Sequence, residues 1–171
     1  MVTFAIETAS PRMQKTIRKN LKIEKVTENI NHAASLGLLI RGFFMLGFPG
    51  ETPEEIKQTV DYAVRSKLDL AHFFMVTPHP GTELRKLAEE TYPELLDEAA
   101  LYGFGYWSDK PFYQQVTGYN LNRAQKLAYF RFYFPFRVFK TFYKMPLKTL
   151  RLRKWLGFIR RVLLKPLSVP K

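Results

Sequence analysis

The sequence predicts an α/β fold with parallel strands, and three observations lead to this prediction. Short apolar runs lie at 2–6, 38–46 and 70–76. Each run is followed by a segment in which apolar residues recur at helical spacing, and glycine and proline turns separate the segments. A strand followed by a helix, repeated three times, is typical of parallel strands joined by right-handed crossovers and covered by helices.

The first unit begins with a strand at 2–6, whose continuous apolar run suits burial on both faces. Ser10 followed by Pro11 predicts a helix start, because serine caps a first turn and proline fits the first helical position. Apolar residues then recur at helical spacing over 23–34. This helix is expected to end at Gly37, since glycine favours the left-handed conformation that ends helices.

The second unit is predicted as a strand at 38–46 and a helix that starts after Thr52, because Thr52 and Glu55 form a capping-box pattern. The third unit is a strand at 70–76, a turn rich in proline, and a helix over 83–90. Three such units cannot close a barrel. The edges of their sheet therefore need to be paired or covered.

The chain divides by composition into three parts. Residues 1–90 form the α/β part, 91–120 an irregular aromatic-rich connector, and 121–171 a basic, aromatic helical extension. A short helix is expected around 94–100 in the connector. Two prolines interrupt the helical pattern of the extension, and a last helix is expected over about 147–165.

The net charge of +12 is unevenly distributed. Residues 1–120 carry 13 Lys and Arg against 15 Asp and Glu, whereas 121–171 carry 14 basic residues and no acidic one. A basic helix with an apolar face over 147–165 is typical of a membrane-surface anchor. It is equally typical of a helix that docks on its own protein with the charges in water. Nucleic acid is disfavoured, because the aromatic residues over 129–143 are too dense for a solvated groove.

The absence of cysteine excludes disulfides, thiolate metal sites and cysteine nucleophiles. No stretch reaches the roughly 18 consecutive apolar residues of a membrane-spanning helix, and no signal-peptide pattern opens the chain. We expect a cytoplasmic protein, with peripheral membrane contact through 147–165 as the alternative. Because a buried-strand pattern follows Met1 directly, we also expect that preceding sequence is missing.

Three segments at predicted strand ends carry the most specific patterns. Residues 4–10 read Phe-Ala-Ile-Glu-Thr-Ala-Ser, residues 47–51 read Gly-Phe-Pro-Gly-Glu, and residues 77–82 read Thr-Pro-His-Pro-Gly-Thr. The carboxyl ends of parallel strands are where ligand sites of α/β folds are built. The sequence therefore places the candidate site at these three ends.

This ordered set resembles the later half of the radical S-adenosylmethionine (SAM) domain, especially its cobalamin-associated branch. The resemblance is strong over 2–90 and looser over 91–145. It implies the last three βα units of a partial (β/α)6 barrel, followed by a helical extension. It also implies a 5′-deoxyadenosyl radical that acts on a C–H bond, with methyl transfer, cyclisation and rearrangement all open. The substrate, a small molecule or a lipid-like compound, is not identified.

The resemblance implies that SAM lies across the strand ends, with its adenine at the end of strand two and its ribose and methionyl portions near the end of strand one. No catalytic residue and no metal ligand is assigned. The predicted cofactor-binding residues are Glu7, Thr8, Ser10, Phe44, Leu46, Gly47, Phe48, Pro49, Thr77 and Pro78.

Structural roles are the alternatives for several of these residues. Ser10 can be a helix cap and Glu7 a structural carboxylate. Lys19 could reach the SAM carboxylate, although a solvated charge is the favoured interpretation. The resemblance implies a recurring Thr-Pro and Pro-Gly-Thr frame whose middle position often holds another residue, so His79 is predicted as a shape or substrate contact. No metal-ligand spacing joins the three histidines. The other two are assigned to structural roles: His32 and His72.

The family also needs a Cys-x3-Cys-x2-Cys loop for a [4Fe-4S] cluster, and this chain has no cysteine. The resemblance therefore implies a carboxyl-terminal enzyme fragment that contributes the adenine and ribose side of the SAM site. A missing amino-terminal half would hold the cluster and, in the cobalamin-associated branch, a cobalamin. The fragment alone is expected to be inactive. The rival hypothesis is a non-catalytic α/β module whose basic tail binds an anionic membrane surface or RNA.

Overall fold

The computed structural model describes residues 1–93, 96, 119–134 and 137–144. Three parallel strands form one sheet in the order β1-β2-β3. The elements in chain order are β1 Val2–Glu7, α1 Pro11–Thr16, α2 Ile23–Ser35, β2 Ile40–Leu46, α3 Pro53–Arg65, β3 Leu70–Met75, α4 Glu83–Thr91, α5 Leu121–Tyr133 and α6 Arg137–Lys144. The parallel sheet and its helices confirm the predicted α/β class.

Helices start and end at the predicted signals. Ser10 caps α1 by accepting a hydrogen bond from the Met13 amide at 3.2 Å. Thr52 and Glu55 form both halves of the capping box at the start of α3. Gly37 follows α2 in the left-handed conformation, with φ of 70°. Local capping chemistry therefore sets these boundaries.

The first crossover contains two helices, because the chain turns sharply between α1 and α2. Arg18 and Asn20 in this turn adopt left-handed conformations, with φ of 56° and 54°. The buried side chain of Gln14 donates from Nε2 to the carbonyl oxygens of Ile6 and Thr8, at 2.8 and 2.6 Å. Gln14 thus fixes the exit of the chain from β1.

The core lies between the sheet and its helices. Ile6, Phe44 and Phe73 point to the helix-covered face and are fully buried, and the rings of Phe44 and Phe73 stack with centroids 5.3 Å apart. Alternate strand residues point to the opposite face, called here the open face. There the half-buried rings of Phe43 and Phe74 meet edge to face at 5.4 Å.

Helix α5 covers the outer edge of β3 with polar side chains. Gln125 donates from Nε2 to the Phe73 carbonyl at 2.6 Å, and the Phe73 amide donates to the Tyr129 hydroxyl at 3.1 Å. The Tyr133 hydroxyl accepts from the Ala71 amide at 3.1 Å and donates to the Ala71 carbonyl at 3.0 Å. Four helical residues advance about 6 Å and two strand residues about 6.6 Å, so the two repeats match. Side chains therefore satisfy an edge that would otherwise be unpaired.

Helix α6 extends this contact to the start of β3. The Thr141 hydroxyl donates to the Asp69 carbonyl at 2.8 Å, and Lys144 forms an ion pair with the Asp69 carboxylate at 2.9 Å. The same carboxylate accepts from the Ile40 amide at 2.9 Å. Arg137 donates to three carbonyl oxygens at and beyond the end of α3, those of Val64, Ser66 and Leu68.

Tyr133→Phe is expected to destabilise the protein by about 1–3 kcal/mol, because it leaves a backbone amide and carbonyl of Ala71 without their partner. Tyr129→Phe removes the hydrogen bond that the Phe73 amide donates, so it leaves one backbone group of β3 without this partner and should cost about 1 kcal/mol. Urea unfolding of both variants measures the difference. Equal costs would contradict the proposed role of Tyr133 at this edge.

Several predictions fall on residues that the structure does not describe. They are the helices expected around 94–100 and 147–165 and most of the connector over 91–120. Within the described ranges, no helix is both long and apolar enough to cross a membrane. Membrane contact through 147–165 stays a prediction.

Candidate functional site

The carboxyl ends of the three strands lie side by side at the same end of the sheet. The strand register pairs Glu7 with Phe44 and Leu46 with Met75. Just beyond β3, the Val76 amide donates to the Leu46 carbonyl at 3.0 Å. The three strand ends at which the sequence places the candidate site are therefore adjacent in the structure.

An ion pair marks the end of β1. The register shifts between Ala5 and Glu7, and Glu7 adopts a left-handed conformation with φ of 66°. Its Oε1 lies 2.9 Å from Lys19 Nζ, and both side chains are partly exposed. A non-glycine residue in this conformation is uncommon and is held there by its surroundings. The left-handed backbone of Glu7 places its carboxylate at the end of the sheet where the strands finish. The ammonium group of Lys19 is held there by the ion pair.

Buried hydroxyl groups connect the end of β1 with α3. The hydroxyls of Thr8 and Thr59 share a hydrogen bond at 3.1 Å, and both side chains are fully buried. The Ala9 amide donates to the Thr59 hydroxyl at 3.0 Å. The Thr8 hydroxyl is therefore held by a neighbouring element rather than directed to solvent.

A second network joins the start of α1 to the turn after β2. The Ser10 hydroxyl donates to Glu55 Oε1 at 2.6 Å, and Arg12 Nε donates to the same oxygen at 2.9 Å. Arg12 Nη2 also donates to the Gly50 carbonyl at 2.7 Å. The hydrogen bond from Arg12, followed by that from Ser10, lowers the pKa of Glu55 to about 2 against the opposing effect of burial. This carboxylate is thus charged at neutral pH and holds two strand ends together.

The turn after β2 is organised by the carboxylate of Glu51. Glu51 Oε2 accepts from the Gly47 amide at 2.6 Å and from the Phe48 amide at 3.1 Å. Glu51 is only 7% exposed, and its Oε1 has no hydrogen-bond partner among the described residues. Burial raises the pKa of Glu51 to about 7, although the two amides act in the opposite direction.

Gly47 lies in close contact with the start of α5. Its φ of 88° is left-handed, and a Cβ at this position would lie 2.5 Å from Leu121 Cδ1. Leu121 is fully buried and so has little room to move. Both the backbone conformation and the contact require glycine here.

The end of β3 is a tight, capped turn. Thr77 is half-buried, Pro78 is buried and His79 is exposed. The Thr82 hydroxyl donates to the His79 carbonyl at 2.7 Å and accepts from the Arg85 amide at 3.1 Å, which caps α4. The frame of this turn is therefore fixed, and its histidine faces outward.

The structure divides the ten predicted cofactor-binding residues by accessibility. Glu7, Pro49 and Thr77 keep accessible surface, one at each strand end. Phe44 and Leu46 point into the core, so their side chains do not reach the open face. Ser10 is both buried and confirmed as a helix cap. The remaining buried members are Thr8, Gly47, Phe48 and Pro78. Cofactor binding by these ten residues stays a prediction.

The residues that lie beside them were not predicted from the sequence. Phe43 and Met45 alternate with Phe44 and Leu46 and thus point to the open face. The sequence does not show which set faces the core, because both faces of β2 carry apolar residues. Gln14 and Glu51 were also missed as the groups that fix the ends of β1 and β2. No short-range pattern marks them, because their partners are backbone groups.

Metal-binding potential is limited by the available side chains. Within the part of the chain that the structure describes, no three histidine, aspartate or glutamate residues are grouped to hold a metal ion. The full sequence has no cysteine. A cluster held by thiolates therefore finds no ligand in this chain.

Comparison with known proteins gives a family match and several relatives. Residues 1–63 match the radical SAM superfamily. An uncharacterized methyltransferase of Pyrococcus horikoshii is 39% identical over 87 residues, which are 51% of this chain and 19% of that protein. Cytidylyl-2-hydroxyethylphosphonate methyltransferase of Streptomyces wedmorensis is 40% identical over 90 residues, 48% of this chain and 17% of the relative.

A ribosomal protein uS12 methylthiotransferase of Thiobacillus denitrificans is 34% identical over 92 residues, 53% of this chain and 21% of the relative. In each case the match spans about half of this chain and about a fifth of the relative.

Proposed function

We propose that this chain is the carboxyl-terminal part of a radical SAM enzyme, because residues 1–63 match the radical SAM superfamily. In this proposal it supplies the wall of the barrel that faces the adenine and ribose of SAM. The family implies SAM and an iron–sulfur cluster as cofactors. Methyl transfer is the favoured reaction class, since the named relatives are methyltransferases and a methylthiotransferase. Cobalamin enters the proposal through the resemblance to the cobalamin-associated branch alone.

The observation that carries the proposal is the convergence of accessible residues from three strand ends at one end of the sheet. Glu7, Pro49 and Thr77 each keep accessible surface at a different strand end. The Glu7 carboxylate can accept hydrogen bonds from ribose hydroxyls, and the ammonium of Lys19 can pair with a ligand carboxylate. SAM carries both kinds of group. The chemistry of these donors and acceptors therefore fits SAM.

The open face of the sheet suits the flat part of the same ligand. Phe43 and Phe74 present half-buried rings there, and Met45 on β2 is the register partner of Phe74 on β3. A purine ring can stack on or pack against such aromatic and thioether side chains. Adenine at this face would also be shielded from water on one side.

The two edges of the sheet support the position of these units in a barrel. Helix α5 occupies the outer edge of β3 through Gln125, Tyr129 and Tyr133. No strand pairs with the outer edge of β1 among the described residues. Further parallel strands can therefore be added beside β1 and not beside β3. This arrangement favours the interpretation that the three βα units are the last three of a larger barrel.

The residues of this chain do not fit the iron–sulfur cluster of the family. Such clusters are held by cysteine thiolates, and the sequence has none. The side chains at the strand ends therefore take no part in holding or reducing a cluster. Their part is to bind and orient SAM, with the Arg12–Glu55 network keeping the first two strand ends in place.

SAM binding to the full chain tests the proposal. We expect weak binding, with a Kd on the order of 1 mM, because half of the pocket is absent. Amide chemical shifts in NMR spectra should change at Glu7, Gly47 and Thr77 together. Glu7→Gln should weaken binding about tenfold, since a charged acceptor is replaced by a neutral one. Glu28→Gln on α2, an exposed carboxylate paired with Lys25, serves as the matched control.

Perturbations confined to one strand end, or equal effects of the two substitutions, would contradict the proposed site. A companion measurement addresses catalysis. After reconstitution with iron and sulfide, the chain should form no 5′-deoxyadenosine from SAM, because no thiolate can hold the cluster. Sustained cleavage of SAM would mean that the active unit is complete in this chain and would overturn the proposal.

A further inference from the structure

Helix α5 has two faces of opposite character. The face toward β3 is buried. The other face, called here the outer face of α5, consists of Arg123, Lys126, Leu127, Phe130 and Phe134, the last of which lies just beyond the helix. These positions recur at intervals of three and four residues and so form one stripe.

The outer face exposes large apolar side chains to solvent. Leu127 is 52% exposed, Phe130 49% and Phe134 64%. The rings of Phe130 and Phe134 stack on each other with centroids 5.0 Å apart. Three of the six exposed large apolar residues in the described part of the chain lie in this stripe. Such a concentration is typical of a binding surface rather than of scattered surface residues.

The two charged residues of this stripe are both positive. Arg123 and Lys126 are exposed and form no ion pair with any described residue. No acidic residue occurs anywhere over 121–171. The complementary partner must therefore be anionic and must also accept large apolar side chains.

Charge and ring geometry argue against three other occupants, which are residues 145–171, a second copy of the chain, and RNA. Residues 145–171 are themselves basic and without acidic residues, so like charges would repel this segment from the stripe. The same repulsion opposes the pairing of two copies through this face. Leu127 offers no ring for base stacking, and Phe130 and Phe134 already cover one face of each other. RNA is therefore a poorer match than a lipid surface.

We propose that the outer face of α5 docks on an anionic lipid surface. Leu127, Phe130 and Phe134 enter the boundary between headgroups and acyl chains, while Arg123 and Lys126 pair with anionic headgroups. The opposite face of α5 remains attached to β3 through Gln125, Tyr129 and Tyr133. The α/β part is thereby held at the surface without a change in its fold. The proposal is independent of SAM binding.

The absence of native cysteine allows a site-specific test in the full chain. A polarity-sensitive fluorophore is attached to Leu127→Cys or, as a matched control, to Leu36→Cys, which is an exposed leucine at the end of α2. With vesicles of phosphatidylcholine and phosphatidylglycerol, the label at position 127 should shift to shorter wavelength and the label at position 36 should not. Vesicles of phosphatidylcholine alone should produce a much smaller shift.

Substitution of the apolar side chains tests the energetic contribution of the stripe. In vesicle sedimentation, the triple variant Leu127→Ser, Phe130→Ser and Phe134→Ser should bind anionic vesicles at least about tenfold more weakly. The control variant Leu36→Ser and Leu87→Ser removes exposed leucines elsewhere and should bind as the unaltered chain does. Circular dichroism verifies that each variant is folded. The variant Arg123→Gln and Lys126→Gln, which keeps the apolar side chains, should lose affinity mainly at low salt.

Three outcomes would overturn the proposal. The first is vesicle binding that the α5 variants do not change, which would place the contact elsewhere on the chain. The second is a response at position 127 to RNA but not to vesicles. The third is a response that rises with protein concentration in the absence of vesicles, which would identify a second copy as the occupant.

Discussion

Gly47→Ala is expected to destabilise the protein by about 2–5 kcal/mol, the largest effect of any single methyl group at the strand ends. The added Cβ would meet Leu121 Cδ1 at 2.5 Å, and Leu121 is too deeply buried to move aside freely. Overpacking of this kind costs about 1–3 kcal/mol. The left-handed φ of 88° adds about 1–2 kcal/mol, because alanine rarely adopts it.

Two other glycines separate the packing cost from the backbone cost. Gly50 and Gly37 have φ of 71° and 70°, and a Cβ at either position meets no atom within 4 Å. Gly50→Ala and Gly37→Ala should therefore cost only about 1 kcal/mol each. Urea unfolding of the three variants gives the comparison. A cost for Gly47→Ala no greater than that of the two controls would show that α5 does not press on this turn.

A double-variant cycle identifies the contact directly. Leu121→Ala alone opens a cavity and should cost about 2–4 kcal/mol. Because it also removes the clash, Gly47→Ala combined with Leu121→Ala should cost about 1–2 kcal/mol less than the sum of the single changes. Strict additivity would exclude Leu121 as the group that requires glycine at position 47.

The stability of the protein should fall as pH rises from about 4.5 to about 7, and Glu51→Gln should remove this fall. Burial raises the pKa of Glu51 to about 7 in the folded state, from an ordinary value of 4.5. Folding therefore favours the protonated form of Glu51. The stability that this gives is fully present below the pKa that Glu51 has in the unfolded chain. This stability is lost as the pH rises through the pKa of Glu51 in the folded state. A pKa shift of this size corresponds to about 3 kcal/mol in the free energy of unfolding.

The measurement is the free energy of unfolding in urea at a series of pH values. The quantity to compare is the difference between the unaltered chain and Glu51→Gln, because other groups titrate in the same range. Burial lowers the pKa of His72, for instance, so its contribution changes in the opposite direction. Glu55 loses its contribution only as pH falls toward its own pKa of about 2.

The exposed Glu54 in the first turn of α3, three residues after Glu51, provides the matched control. Glu54→Gln should leave the pH dependence of the unaltered chain in place. If the difference between Glu51→Gln and the unaltered chain is constant with pH, the carboxyl of Glu51 does not titrate near neutrality. In that case Oε1 of Glu51, which has no partner among the described residues, must accept a hydrogen bond in solution.

The sequence was sufficient for the elements that depend on local chemistry. Ser10, Thr52 and Gly37 mark helix boundaries because a cap or a left-handed residue acts within a few positions of itself. The three strands were readable as apolar runs. Their ends meet because parallel strands joined by crossovers must start and finish at the same edges.

Long-range contacts could not be read from the same patterns. The partners of Gln125, Tyr129 and Tyr133 are backbone groups of β3, about 50 to 60 residues earlier in the chain. A backbone amide leaves no signature in the sequence. The direction of Phe44 was also hidden, because both faces of β2 carry apolar residues.

The one-sided covering of the sheet limits how copies of this chain can associate. Within the described residues, hydrogen-bonding groups remain available along β1, while the backbone of β3 is occupied by α5. Fibril growth requires two unpaired strand edges per subunit, so that each added subunit leaves an edge on which the next can pair. Here a strand-to-strand encounter between two molecules would occupy the one sheet edge that is open in the described part of each chain. Self-association through the backbone should therefore stop at a pair instead of polymerising.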